Sequence, residues 1–127
     1  MRNLLILAFL VVSCSSQNKE IVNSKWIYNY GHCQDYFAFK EGNRYVSFSC
    51  ETGDTTFGHY SILKDVILIN QSYGSFDKEF DENSRHSLGQ AEYKLVLKKN
   101  NQLGYLENWD EINNDWKENY FYQKIKE

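Results

Sequence analysis

From Trp26 to its last residues the chain repeats one pattern: short runs alternating apolar with polar residues, separated by small clusters of Gly, Asn, Asp and Lys. YSILKDVILI is the clearest instance, with two alternating runs flanking Lys64 and Asp65. Period-two alternation puts one side of a strand in a core, and a turn cluster between two such runs makes a hairpin. WIYNY places Trp26, Tyr28 and Tyr30 on one strand face, and DYFAF does the same for Phe37 and Phe39. After a turn at KEGNR, the run YVSFSC alternates Val46, Phe48 and Cys50 against Tyr45, Ser47 and Ser49. TTFGHYSI and VILINQ then flank the LKD turn.

From about Ser72 to Gln90, clustered Gly, Ser, Asn and charged residues predict a long loop, in which the i, i+4 pair Phe76 and Phe80 suits one helical turn. AEYKLVLKK resumes the alternation with Tyr93, Leu95 and Leu97 on one face. A turn at KNNQ leads to LGYLENW, and beyond DEINND the chain closes with WKENYFYQKI. Gly104 inside a strand marks a bend, a bulge or a close approach. The chain has no proline, so no ladder is interrupted from that cause. About eight strands joined by local turns form an all-β antiparallel meander. A closed up-and-down barrel removes its free edges, with YFYQK pairing back onto WIYNY. An immunoglobulin-like sandwich would need Greek-key crossings, which sequential hairpins do not supply.

The start of the chain is of another kind. Arg2 precedes an unbroken apolar run from Leu4 to Val12. That is about half the roughly 20 residues of a membrane-spanning helix, and it fits the core of a secretory signal peptide. VVSC, ending at Cys14, resembles the bacterial lipobox, which implies cleavage before Cys14 and its acylation. The expected organisation is a signal peptide over 1–13, a lipidated polar tether over 14–23 and one domain over 24–127. Roughly 100 residues suffice for one core and no more. The lipid, a palmitate-type anchor, makes the membrane a partner and places the domain in the cell envelope, on the periplasmic or surface side of the outer membrane.

Export also bears on Cys33 and Cys50. An even cysteine count in an oxidising compartment points first to a disulfide. Folding the hairpin about Gly42 and Asn43 brings Cys33 within a residue or two of register with Cys50, close enough for a bridge. A pair of metal ligands is the alternative, but no C-x-x-C or neighbouring histidine set supports zinc.

Several short stretches together resemble the small lipocalin-like lipoproteins of Bacteroidetes. Trp26 matches that family's opening tryptophan. Gly58, Tyr60, Ile62, Asp65, Ile67 and Ile69 match its middle hairpin G-x-Y-x-I-x-x-D-x-I-x-L, with Ile69 in place of leucine. Leu103 opens its later strand, and YFYQKI gives its aromatic last strand. The opening reads SKW where lipocalins proper have G-x-W, and Tyr105 occupies the second position of the late L-x-L. The resemblance implies a lipocalin-like barrel, and a fold by itself does not name a ligand.

The formal net charge is -3, and lysines and arginines are interleaved with acids along the chain. A nucleic-acid partner is therefore not expected. No catalytic or phosphate-loop motif is present, and His32, His59 and His86 lie far apart in the sequence. The acids around Phe76 and Phe80 do not follow a calcium-loop pattern. The reading is a non-catalytic protein with no metal and no cofactor. Its 10 tyrosines are the informative excess, because a buried hydroxyl needs a partner and a small dry core cannot take them all. Two functions follow. One is binding of a small apolar ligand in a pocket formed by Trp26, Tyr28, Phe37, Phe39, Phe48 and Tyr60. The other is recognition of an envelope protein, as an enzyme inhibitor, an immunity-type protein or a subunit of an envelope complex.

Overall fold

The computed structural model describes residues 18–75 and 91–126. The expected signal segment, Cys14 and most of the expected long loop, with Phe76, Phe80 and His86, lie outside the described residues. A one-turn helix, α1 (Asn18–Ile21), leads into β1 (Ser24–Tyr30), β2 (Cys33–Lys40) and β3 (Arg44–Phe48). β4 (Thr55–Leu63), β5 (Val66–Ser75), β6 (Ala91–Lys98) and β7 (Gln102–Tyr105) follow. A 3-10 turn (Leu106–Asn108) and a small hairpin, β8 (Trp109–Asp110) with β9 (Asp115–Trp116), precede the last strand, β10 (Tyr122–Lys124).

Eight strands close an antiparallel up-and-down barrel in the order β1-β10-β7-β6-β5-β4-β3-β2. The final strand closes it as its sequence implied, through Trp26↔Lys124 and Ile27↔Gln123. Asparagines shape many of the turns. Asn43, Asn100, Asn101 and Asn114 all have positive φ, where a short polar side chain is tolerated better than most. The expected bridge is present: Cys33 and Cys50 are disulfide-bonded with Cα atoms 5.8 Å apart. Extending the β2–β3 register from Tyr36↔Phe48 sets Cys50 opposite Gln34, one residue from Cys33.

Register decides which residues face inward. The pairs Trp26↔Phe37 and Phe39↔Tyr45 put four rings inside one wall, and Tyr60↔Ile69 and Ile67↔Leu95 continue the layer. At the end where α1 enters, Ile21 is 1% exposed and closes the barrel floor. Trp26 Nε1–H donates to Ser24 Oγ at 2.8 Å, and that hydroxyl donates to the Ile21 carbonyl. The compact fold thus includes Ile21 of α1, earlier in the chain than Ser24. The tether reading undervalued Ile21, a single apolar residue among polar ones. At the β4 bulge between Phe57 and Gly58, a Cβ on Gly58 would lie 1.9 Å from the Asn70 carbonyl oxygen and 2.9 Å from the Tyr45 ring. The glycine of the middle-hairpin motif therefore lets two strands and a core ring approach.

Two expectations are corrected here. Phe48 does not face the interior: it lies on the outer face, stacked on Tyr36 with ring centroids 5.6 Å apart. The pairing Phe37↔Ser47 turns Ser47 inward and hence Phe48 outward. Nor does LGYLENW form one barrel strand, because the chain leaves the sheet after Tyr105. Asp110 closes a tight turn by accepting from the Ile112 and Asn113 amides, at 3.0 and 3.2 Å, and from Asn113 Nδ2 at 2.7 Å. Those bonds, the Asn113 side chain foremost, hold the Asp110 carboxyl below its ordinary pKa.

Candidate functional site

The residues expected to form a pocket part company. Trp26, Phe37, Phe39 and Tyr60 are 1–5% exposed and pack against one another in the floor half of the barrel, so they are core. Tyr28 belongs to a different cluster, nearer the other end, and Phe48 to neither.

That second cluster arises from short strands. β7 pairs with β6 only from Lys98↔Gln102 to Leu95↔Tyr105, and β10 contributes two register pairs to each neighbour. Above these pairs β6 continues through Ala91–Lys94 with no β7 partner. Tyrosine rings fill the resulting gap in the wall. Tyr93 lies 5.8 Å from Tyr105, Tyr105 6.2 Å from Tyr120, and Tyr120 4.4 Å from Tyr28, centroid to centroid. Tyr122 lies behind them, edge-on to Phe37 at 5.1 Å. Offset and tilted rings at such separations attract beyond their buried area.

The Tyr93, Tyr105 and Tyr122 hydroxyls of this cluster stay neutral. Burial, and next the neighbouring Tyr120, push the Tyr105 phenol up to about 12. Burial raises Tyr93 and Tyr122 further still. Each is thus a donor and an acceptor at any pH the protein would meet. A carboxylate reaches into them, that of Asp35, whose Oδ1 accepts from the Cys50 amide at 2.7 Å and whose Oδ2 accepts from the Tyr120 hydroxyl at 3.4 Å. The disulfide and the tyrosine cluster are joined through this side chain. Deeper in, the Tyr45 hydroxyl is buried near Thr56 and Tyr93 and reaches hydrogen-bond geometry with neither.

Outside the gap lies a cleft of about 590 Å³. Tyr93 and Tyr105 form its inner wall, Leu68, Glu92 and Lys94 come from the outer faces of β5 and β6, and Leu106 and Glu107 from the 3-10 turn. A volume of this size suits one small molecule. A second groove of about 600 Å³ shares Leu68, Lys94 and Leu106 and runs along the outer wall past Val66, Val96 and Trp109 to Leu63. The β8–β9 hairpin stands beside it. Trp109 meets Trp116 edge-on at 4.9 Å, and the Trp116 ring occupies the space beside Gly104 where a Cβ would stand. The close approach expected at Gly104 is therefore real, and its partner is Trp116. Leu63 and Ile112 are 76% and 94% exposed.

Sequence reasoning held that Tyr28, Tyr30, Tyr36, Tyr60, Tyr93, Tyr105, Tyr120 and Tyr122 could not all sit in one dry core, and did not single out the ones that cluster here. The one signal was the excess of tyrosine itself. Leu68 and Leu106 carried no signal, since each reads as an ordinary strand residue. His32 and His59 are both exposed, and no group of three or more metal-ligating side chains occurs among the described residues. No known protein family, curated protein or solved structure matches this chain.

Proposed function

We propose that this chain is a non-catalytic envelope lipoprotein that binds a small, largely apolar ligand at the Tyr93–Tyr105 cleft. The observation that carries the binding reading is the breach in the barrel wall, where Tyr93 and Tyr105 line a cleft of ligand size. The rings and Leu68 and Leu106 supply contact area, and the hydroxyls orient a ligand that carries a hydrogen-bonding group. The apolar layers around Trp26, Phe37, Phe39 and Tyr60 support the site without lining it. The lipoprotein part rests on the order Arg2, apolar run, Ser13, Cys14, and on the disulfide, which suits an oxidising compartment.

A titration tests the binding reading. An apolar fluorescent probe is expected to bind the oxidised domain saturably, and Leu68→Glu should weaken it about tenfold or more by placing a charge on the cleft wall. Tyr105→Phe should weaken only ligands that hydrogen-bond. Absence of saturable binding, or binding indifferent to Leu68→Glu, contradicts the site. A second reading, recognition of an envelope protein, is favoured by one observation: Leu63 stands exposed in the groove beside Trp109, and Ile112 stands exposed on the β8–β9 turn, next in sequence to the groove residue Glu111. In that case Ile112→Asp, and not Tyr105→Phe, removes the partner.

A further inference from the structure

The barrel sorts charge between its two ends, which the interleaved sequence hides. An antiparallel meander brings alternate turns to the same end, and α1 enters at the end formed by the β2–β3, β4–β5 and β6–β7 turns and the tail of β10. Contacts tie these segments together: Lys124 Nζ donates to the Glu20 carbonyl at 2.9 Å, the Lys124 amide to Asn101 at 3.2 Å, and Asn23 Nδ2 to the Glu41 carboxylate at 3.3 Å. Lys40 and Arg44 flank the first of the turns, Lys64 sits in the second, and Lys98 and Lys99 open the third. Lys124 and Lys126 follow on the tail. Against these seven basic residues, the same segments carry three acids among the described residues, Glu20, Glu41 and Asp65; Glu127 follows Lys126 in the sequence, and Glu111 lines the wall groove that Lys64 and Lys98 share. The opposite end is acidic, with Glu51, Asp54, Glu92 and Glu107 among the described residues. Lys40, Arg44, Lys64, Lys99 and Lys126 are all exposed.

We infer that this basic end is a membrane-facing surface that engages anionic phospholipid headgroups. The inference rests on the lipoprotein reading in one respect: it takes Cys14 to be the lipidated residue. At no more than about 3.6 Å per residue, the four steps from Cys14 to Asn18 reach at most about 14 Å. Even at full stretch that is less than two screening lengths of about 8–10 Å at physiological salt, so the end that carries α1 stays near the field of the bilayer surface. Polybasic segments at such distances gain attraction with each added lysine or arginine. The consequence is an orientation. The basic end lies on the headgroups, the exposed Leu63 meets the interface, and the tyrosine cluster with its cleft points away from the membrane.

Residues 18–127 hold every buried core residue among the described ones, from Ile21 to Tyr122, and can be tested without a lipid. Co-sedimentation is measured with vesicles containing about a third phosphatidylglycerol and with pure phosphatidylcholine vesicles. We expect about tenfold or greater preference for the anionic vesicles at low salt, largely lost on raising salt to about 0.5 M. Lys40→Glu/Lys99→Glu/Lys126→Glu should abolish the preference with circular dichroism unchanged, and Lys117→Glu, away from this end, should leave it within about twofold. Equal partitioning to the two vesicles, no partitioning to either, or a triple variant that binds like the parent overturns the inference, as does binding to heparin without binding to vesicles. The mass of the mature protein extracted from membranes separately reports the lipid on Cys14, so failure of the basic surface and failure of the lipoprotein reading are told apart.

Discussion

Gly104→Ala is the most informative single change, because the structure fixes both its cost and its cause. A Cβ there would sit 2.4 and 2.5 Å from two carbons of the Trp116 ring. Carbon atoms rest at about 3.5–4.0 Å, so the ring must retreat by roughly 1 Å. It is not free to do so. Trp116 Nε1–H donates to Gln102 Oε1 at 2.9 Å, Trp109 meets the ring edge-on, and Phe121 stacks on it at 5.8 Å. Overpacking of this kind costs about 1–3 kcal/mol, and relief from glycine's entropy in a strand offsets roughly 0.5–1 kcal/mol of it. The net expected loss is about 1–2 kcal/mol, read as a lowered urea midpoint by far-ultraviolet circular dichroism at constant m. In a Trp116→Ala background the obstruction is gone, so the same substitution should stabilise by about 0.5 kcal/mol. A change of sign between backgrounds is the expected signature. An equal cost in both, or no cost in the parent, would refute the reasoning that the hairpin is pinned to the wall through Gly104.

Other consequences can be measured on the same protein. Gly58→Ala should cost more than about 3 kcal/mol or abolish folding, since a backbone carbonyl blocks the added carbon; a near-neutral result by urea unfolding would contradict the bulge geometry. Tyr45→Phe removes a buried hydroxyl without a hydrogen-bond partner and should leave stability unchanged or raise it by about 1 kcal/mol, whereas a clear loss would reveal a partner. Reducing Cys33–Cys50 should lower stability by about 2–4 kcal/mol and loosen the Asp35–Tyr120 contact, visible as changed near-ultraviolet dichroism. Alkali should unfold the protein in a defined window. Folded Tyr105 keeps its proton up to about 12 while the unfolded chain releases it near 10, so stability is full below about pH 10 and falls as pH rises toward 12. Tyr93 and Tyr122 shift in the same direction and steepen the fall. Phenolate absorbance from these rings should therefore appear together with loss of structure; full ionisation with intact dichroism would show them to be solvated.

Much of the fold was legible because alternation and turn chemistry agreed. YSILKDVILI became the β4–β5 hairpin with Leu63↔Val66 around Lys64 and Asp65, and the closing strand paired where its aromatics implied. The disulfide followed from the same hairpin register. Legibility failed where two choices were equally apolar: Phe48 and Tyr45 occupy opposite faces of one strand, and only the neighbouring register orders them. It failed again for Ile21, since one buried residue carries no period. The candidate cleft was visible only as an excess of tyrosine. Its position depends on where β7 stops, and an early departure from a sheet through a 3-10 turn leaves little trace in LGYLENW. The basic end depends on turns far apart in sequence meeting at one end of a barrel, which only closure creates.

Native mass spectrometry of residues 18–127, produced in an oxidising periplasm and compared with the denatured mass, tests the central claim most directly. The account predicts a small adduct that disappears on denaturation, is missing from Leu68→Glu, and persists in Ile112→Asp. An unadducted parent protein that also fails to acquire any small molecule from an envelope extract would contradict ligand binding at the tyrosine-lined cleft.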